Sequence, residues 1–183
     1  MIWLTSDLHL FHKEFIFRPR GFDTMEDMNA AIESNWNALV ADDDDVYILG
    51  DLMVGGKEHN NDAAMEVVRR LKGRKHVILG NHDTAARIVL YQDAGMDTQY
   101  ATMLKYKGRT FFLSHFPSIT VDVEHEKKTK EWIVNFFGHT HSKELFYTDN
   151  PFMYHVSLDA HDMKPVSIDE ALDDIRKKAG ESD

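Results

Sequence analysis

Cysteine is absent from the 183-residue sequence, and this excludes both disulfide bonds and metal sites built from thiolate ligands. Long hydrophobic runs are missing as well, since no apolar stretch approaches the length needed to span a bilayer. Met1 leads directly into IWLTSD, with neither a basic segment nor a small-residue cleavage site, so no secretory signal is visible. We therefore expect a cytoplasmic protein that does not associate with a membrane.

Positive charge is scarce. The chain has 21 Lys and Arg against 31 Asp and Glu, and its formal net charge is −10. A protein that grips a long nucleic acid usually carries a basic stripe, and no such stripe is evident. We expect no long nucleic acid as a partner, and a phosphate-bearing substrate must be attracted by something local, such as bound cations. The oligomeric state stays open.

The sequence does contain a series of short apolar runs, separated in places by helical patterns. Most runs are apolar on both faces, as strands of a buried sheet are. The predicted strands are residues 2–6, 46–50, 76–80, 110–114, 133–138 and 154–158. The predicted helices are 26–41, 62–72, a segment from after Asp83 to near Gly95, and one that starts at a Ser167–Glu170 capping box and ends before Gly180. With no repeat or linker, residues 1–183 are predicted to form a single α/β domain.

Two charged segments invite a functional interpretation that their composition does not support. Four consecutive aspartates at 42–45 stand between a predicted helix and a predicted strand, which is typical of a solvated turn. Residues 124–131 mix both signs of charge and predict an exposed loop or the start of a short helix.

Polar residues follow five of the apolar runs at the point where each run ends. They are Asp7 and His9, Asp51, Asn81 to Asp83, His115, and the His139 and His141 of GHTH. Ligands of open α/β sheets bind beyond the carboxyl ends of the strands. A single Asp or Asn there is a common turn residue, but His and carboxylates after five runs indicate metal binding or catalysis. Residues two apart in an extended segment point to one side, so both GHTH histidines can face the site.

These motifs resemble those of the calcineurin-like metallophosphoesterases. The matching stretches are Asp7-Leu8-His9, Gly50-Asp51, Gly80-Asn81-His82-Asp83, Ser114-His115 and Gly138-His139-Thr140-His141, in that order. The resemblance runs from residue 1 to about 170 and is strongest to small, single-domain bacterial and phage members, which share features such as SHFP at 114–117 and KPVS at 164–167. It implies a four-layer α/β sandwich of two packed mixed sheets flanked by helices.

The resemblance also implies two divalent metal ions. One ion would take Asp7, His9 and His141, the other would take Asn81, His115 and His139, and Asp51 would bridge the two. Asp51 suits a bridge because a carboxylate offers two oxygens and a charge. Ligands of nitrogen and oxygen fit Mn, Fe, Zn, Ni or Co without choosing among them, and manganese is the metal we expect.

The chemistry implied is in-line attack of a metal-bridged hydroxide on phosphorus. His82 is expected to face the leaving-group oxygen as an acid or transition-state stabiliser. Asp83 is expected to orient His82 and keep it protonated, or alternatively to cap the following helix.

Substrate contacts are predicted for His12 and Arg18, which lie just beyond the first motif. Lys13 and Arg20 are interpreted as solvated basic residues. His161, in the stretch DAHDM, is singled out as a residue that could border the pocket.

A small phosphoesterase acting on phosphomonoesters or small phosphodiesters, nucleotides and cyclic nucleotides included, is the leading hypothesis. Asp51 is followed by LMVGG, which lacks the acidic and arginine residues of the related protein Ser/Thr phosphatases and argues against that role. A metal-dependent nuclease is an alternative, against which the net charge of −10 weighs. A second alternative is a non-catalytic interaction scaffold. The complete set of predicted metal ligands argues against it.

Overall fold

The computed structural model describes residues 1–12, 14–54, 61–120 and 133–180. Lys13 and the mixed-charge segment 124–131 lie outside these residues. The strands are β1 (Ile2–Thr5), β2 (Asp45–Leu49), β3 (Arg74–Ile78), β4 (Asp97–Gln99), β5 (Ala101–Tyr106), β6 (Arg109–Ser114), β7 (Val134–Phe137), β8 (Met153–His155) and β9 (Val166–Ser167). The α-helices are α1 (Glu14–Phe17), α2 (Met25–Leu39), α3 (Asn61–Arg70), α4 (Ala85–Asp93) and α5 (Ile168–Ala179). In the described part of the chain, no helix is long and apolar enough to cross a membrane.

The strands form two mixed sheets. The first has the order β4-β3-β2-β1-β9, in which only β9 runs antiparallel to its neighbour. The second has the order β5-β6-β7-β8, in which only β5 is antiparallel. The predicted α/β architecture with two mixed sheets is therefore confirmed.

Alternating side chains of the first sheet enter two different cores. Trp3 packs with α2, α3 and α4 on one face, whereas its neighbour Leu4 packs against the second sheet on the other. The second core also receives Phe111 of β6, Phe136 of β7 and the apolar side of α5. Because both faces of β1 are buried, the strand reads as a continuous apolar run.

The helix ends follow local signals. Ser167 accepts a hydrogen bond from the backbone N–H of Glu170, whose carboxylate accepts one from the Ser167 N–H, so the predicted capping box is confirmed. Gly180 ends α5 in the left-handed conformation. Helix α4 begins after Thr84, so the alternative that Asp83 caps this helix is wrong.

The aspartate run at 42–45 is only partly solvated. Asp42 and Asp43 are exposed, but Asp44 is buried and accepts hydrogen bonds from the Trp3 indole and the Ala41 N–H, both over 2.9 Å. The predicted solvated turn is therefore wrong at Asp44. That carboxylate fixes the chain ahead of β2, because a buried acceptor must find donors.

Candidate metal centre

The loops that follow β1, β2, β3, β6 and β7 meet where the two sheets adjoin. The Asp7 N–H donates to the carbonyl of Gly50 over 3.0 Å within the first sheet's loops, and the Gly138 N–H donates to the carbonyl of His115 over 3.0 Å within the second's. The Asp7 carboxylate then accepts a hydrogen bond of 2.9 Å from the His139 N–H, which joins the two groups of loops.

Asp7 is fully buried and only one of its oxygens is satisfied. Oδ2 accepts from the Ser6 hydroxyl over 2.6 Å and from the His139 N–H. Oδ1 has no hydrogen-bond donor among the described residues. Burial would raise the pKa of this carboxyl, but the neighbouring imidazoles of His9 and His141 outweigh it and lower the pKa to about 2. The buried oxygen is thus anionic and lacks a donor, which fits a bound cation.

Two imidazole nitrogens converge on this oxygen. Nε2 of His9 and Nε2 of His141 each lie 3.7 Å from Oδ1 of Asp7, and they lie 3.0 Å from each other. Asp7, His9 and His141 therefore offer three donor atoms within one ion's reach. This is the ligand set predicted for the first ion.

Asp51 stands between this set and a second one. Its Oδ1 accepts from the His82 N–H over 2.8 Å, while its Oδ2 lies 3.7 Å from Nε2 of His9 and 3.6 Å from Nε2 of His115. Asp7, Asp51 and His115 also offer donor atoms that lie close enough to hold an ion. A single oxygen of Asp51 thus faces both sets, while the other oxygen accepts from the His82 N–H.

His115 is oriented by the strand before Asp51. Its Nδ1 lies 2.9 Å from the carbonyl oxygen of Leu49, and because a carbonyl only accepts, Nδ1 carries the hydrogen and Nε2 presents its lone pair. Nε2 lies 2.9 Å from Oδ1 of Asn81. The ring of His139 is exposed and lies 5.0 Å from the His115 ring, centroid to centroid. The structure therefore brings Asn81 and His115 together on the other side of Asp51, and the His139 ring packs edge-on against the His115 ring.

Five of these residues have a backbone conformation that L-amino acids rarely adopt. Positive φ angles occur at Asp7 (56°), His9 (50°), Asp51 (55°), His139 (70°) and His141 (50°). Each costs on the order of 1–2 kcal/mol. Strained backbone conformations of this kind cluster at functional sites. Here they let short loops direct these side chains toward the same point.

Glycine precedes two of the ligand motifs because other residues would collide with a carboxylate. A Cβ at Gly80 would stand 2.3 Å from Oδ1 of Asp51. A Cβ at Gly138 would stand 2.5 Å from Oδ2 of Asp7 and 2.4 Å from the Ser6 hydroxyl oxygen. The backbone therefore wraps directly around the two aspartates, which only glycine permits.

Arg20 and Asp159 form hydrogen bonds that hold His141 and Asp7, two members of the first ligand set. Oδ2 of Asp159 lies 2.9 Å from Nδ1 of His141, and its two oxygens accept from Nε and Nη2 of Arg20 over 2.9 and 2.8 Å. Nη2 of Arg20 also donates to the Asp7 carbonyl over 2.7 Å. Only 3% of the Arg20 side chain is exposed, so the interpretation of Arg20 as a solvated residue is wrong.

Asp159 was missed in the sequence, although it lies in the same DAHDM stretch as His161. Burial opposes its ionisation, but hydrogen bonds from His141 and Arg20 hold the pKa of Asp159 well below its usual range. His161 itself lies against the carbonyl of His155, with its Nε2 2.8 Å from that oxygen, and is not part of the ligand cluster.

The two predicted substrate contacts occupy different surroundings. His12 is buried, and its ring stacks 4.9 Å from the His9 ring. Burial, together with the neighbouring imidazoles, lowers the pKa of His12 to about 3, so the ring is neutral at physiological pH. Arg18 is half exposed, and its guanidinium lies 3.2 Å from Asp23. For both His12 and Arg18, contact with substrate stays a prediction.

His82 and Asp83 perform different tasks in this loop. The His82 ring is half-buried and stands edge-on to the His9 ring, at 5.4 Å between centroids. Asp83 is buried and accepts from the N–H groups of Asp51 and Gly80 over 2.9 and 2.8 Å and from the Tyr91 hydroxyl over 2.8 Å. The expected contact of Asp83 with the His82 imidazole is thus replaced by bonds that brace the loop carrying Asp51.

Several known proteins resemble this chain in sequence or in fold. A model of the calcineurin-like phosphoesterase family matches residues 1–154. The gene 66 protein of Mycobacterium phage D29 is 33% identical, with 96% of this chain and 98% of the phage protein covered. An uncharacterised protein of Methanocaldococcus jannaschii is 31% identical, over 96% of this chain and 92% of its own. A crystal structure of an Aquifex aeolicus protein of unknown function superposes with a TM-score of 0.71 at 21% identity, over 94% of this chain and 98% of that one, and shows the same fold. The match of the family model over residues 1–154 establishes that the chain belongs to the calcineurin-like phosphoesterases.

Proposed function

We propose that this protein is a dinuclear metal-dependent hydrolase of phosphomonoesters or small phosphodiesters, nucleotides included. The family assigns the chemistry to phosphoesters, and the clustered donors supply candidate metal ligands. One observation carries the dinuclear part of the proposal: Oδ2 of Asp51 lies 3.7 Å from Nε2 of His9 and 3.6 Å from Nε2 of His115. A single carboxylate oxygen placed between two ligand sets supports a pair of ions rather than one.

The residues divide into two groups around Asp51. Asp7, His9 and His141 would hold one ion, and Asn81, His115 and His139 would hold the other. When bound, two divalent cations lower the pKa of water from 15.7 to roughly 7 and neutralise charge on the phosphoryl oxygens. The nitrogen and oxygen donors fit manganese, with Fe, Zn, Ni and Co as alternatives.

The chain prepares these ligands before any substrate arrives. The His82 N–H fixes Asp51 so that Oδ2 faces inward, and the Leu49 carbonyl and the Asp159 carboxylate fix the hydrogens of His115 and His141 on Nδ1. In the neutral form of both rings, Nε2 then carries the lone pair and faces the cluster. Such preorganisation is what electrostatic stabilisation of a phosphoryl group requires.

The position of His82 supports a role for it in proton transfer. Its backbone is held by Asp51, and its half-buried ring stands beside His9 at the cluster. From there the imidazole would donate a proton to the leaving-group oxygen. The neighbouring His12 packs against the His9 ring and is neutral, so it would add packing rather than charge to the site. We therefore assign His82 as the general acid.

A substrate panel tests this function. Manganese-loaded protein would be assayed with aryl phosphomonoesters, aryl phosphodiesters, 2′,3′- and 3′,5′-cyclic nucleotides and single-stranded DNA. We expect turnover of small esters that is lost in Asp51→Asn and kept in Asp45→Asn, a control at the half-buried start of strand β2, which precedes Asp51. Cleavage confined to DNA would favour a nuclease, and no turnover with any of the five candidate metals would favour a scaffold.

A further inference from the structure

Phe116 is a large apolar side chain that stands open to solvent at the edge of the candidate metal centre. Half of it is exposed (50%). Its ring centroid lies 4.7 Å from that of His139 and 5.0 Å from that of His115, and both contacts are edge-on. The phenyl ring therefore borders two predicted ligands of the second ion while much of its own surface remains available.

Hydrogen bonds hold the loop that carries this ring. The Phe116 carbonyl accepts hydrogen bonds from the hydroxyls of Ser114 and Ser118 over 2.8 and 3.0 Å. The Ser118 N–H donates to the side chain of Asn135 over 2.8 Å, and this fully buried amide also donates to the Ser114 hydroxyl over 2.8 Å. The backbone of Phe116 is thus held by the serines on both sides of it, and the side chain that it carries is half exposed.

We propose that Phe116 is a stacking platform for the aromatic ring of the substrate, the aryl or nucleobase group attached to the phosphate. The inference rests on the proposed function, because it places the phosphate at the metal centre. A ring linked to that phosphate by a few bonds would then lie close to His139, next to the Phe116 ring. Aromatic faces accept any planar ring, so the platform selects ring-bearing esters over alkyl esters without choosing among bases.

Equilibrium binding tests the platform without requiring turnover. The probes are phenylphosphonate and methylphosphonate, which carry the same charged head and differ in the ring. Titration calorimetry on manganese-loaded protein should show a preference for the phenyl compound of about 3- to 10-fold, which Phe116→Ala removes. Phe116→Trp should keep the preference, and Phe116→Leu should lose most of it because an aliphatic side chain cannot stack.

Two controls accompany this titration. Met103→Ala removes an apolar side chain of nearly equal exposure (49%) from strand β5 and should leave the preference intact. The metal content of each variant should equal that of the unaltered protein, which separates loss of the platform from damage to His115 or His139. An unaltered preference in Phe116→Ala, or no preference in the unaltered protein, overturns the inference.

Turnover then distinguishes the kinds of ring and separates this inference from the proposed function. In Phe116→Ala the KM should rise about 3- to 10-fold for p-nitrophenyl phosphate, uridine monophosphate or both, with kcat little changed, and the KM for ribose 5-phosphate should stay constant. A change with only one of the ring-bearing substrates identifies the kind of ring. If Phe116→Ala hydrolyses both ring-bearing substrates as the unaltered protein does, the stacking platform is overturned, but the proposed phosphoesterase activity stands. A phenyl preference in a protein that hydrolyses no ester keeps the platform and overturns the phosphoesterase.

Discussion

Oδ2 of Asp159 lies 2.9 Å from Nδ1 of His141, and the same carboxylate pairs through both oxygens with Arg20. Arg20 in turn donates to the carbonyl of Asp7 over 2.7 Å. Two predicted ligands of the first ion, His141 and Asp7, are thereby connected through a buried ion pair. The pair orients the imidazole and holds the Asp7 backbone in its left-handed conformation.

Replacing Asp159 should weaken metal binding without removing a ligand. In Asp159→Asn the amide no longer restricts His141 to the tautomer whose Nε2 faces Asp7, and we expect the affinity for one ion to fall about 10- to 100-fold. Titration calorimetry of the chelated protein with manganese would measure this change. Asp45→Asn is the matched control, since Asp45 forms the same two-bond pair with Arg74 away from the predicted ligands. Equal affinities in Asp159→Asn and the unaltered protein would show that the carboxylate does not position His141.

Arg20→Met should destabilise the metal-free protein by about 3 kcal/mol, because it leaves the Asp159 carboxylate buried without the Arg20 guanidinium. Urea unfolding of chelated protein measures the loss. The control is Arg74→Met, whose pair with Asp45 is largely exposed and is worth under about 1 kcal/mol. If both variants lost the same small amount of stability, the buried pair would not have the structural role assigned to it.

Gly138→Ala should abolish binding of the first ion while leaving most of the fold intact. The added Cβ would meet Oδ2 of Asp7 and the Ser6 hydroxyl, so the carboxylate must move away from its position beside His139. Elemental analysis measures the metal, and circular dichroism checks the fold. Gly95→Ala offers a control. Apart from its chain neighbours, no atom of the described residues lies within 4 Å of a Cβ there, so the change costs only the strain of a left-handed alanine, on the order of 1 kcal/mol. Full metal content in Gly138→Ala would contradict the close approach seen here.

Acid should destabilise the metal-free protein partly through His155. This ring is fully buried and stacks on Phe137, and burial lowers its pKa from 6.5 to about 4. The unfolded chain therefore binds a proton more readily than the folded chain between these two values, and stability falls as pH decreases through that window. The contribution of His155 to this loss approaches 3 kcal/mol at pH 4.

His155→Phe removes this proton-binding group but keeps an aromatic ring against Phe137. Urea unfolding at pH 7 and at pH 4 should show a smaller acid-induced loss in the variant than in the unaltered chelated protein. The same loss in both would assign the acid sensitivity to other groups.

The sequence predicted well those features that local patterns encode. Strand β1 has both faces buried, so its residues form an apolar run whose end points directly to Asp7 and His9. Strand β5 was not predicted, because exposed residues such as Met103 and Lys105 alternate with half-buried ones and leave no apolar run. Strand β9 was missed because its two residues pair with β1 only in the folded chain.

The contacts that hold the predicted ligands in position could not be predicted from local sequence patterns. Arg20 and Asp159 are 139 positions apart, and neither has neighbours that distinguish it from a surface charge. Their pairing depends on how the turn after α1 packs against the turn after β8 in the folded chain, which local sequence patterns do not encode. Asp83 shows the same limit, since its bonds to Asp51 and Tyr91 depend on the packing of α4.

Metal stoichiometry tests the central claim most directly. Protein stripped with a chelator, reconstituted with manganese and freed of excess metal should contain about two ions per chain by elemental analysis. Asp51→Asn, which removes the charge between the two ligand sets, should contain fewer and should not hydrolyse small phosphate esters. Reconstituted protein that contains no metal, or an Asp51→Asn variant with two ions and full turnover, would contradict the account.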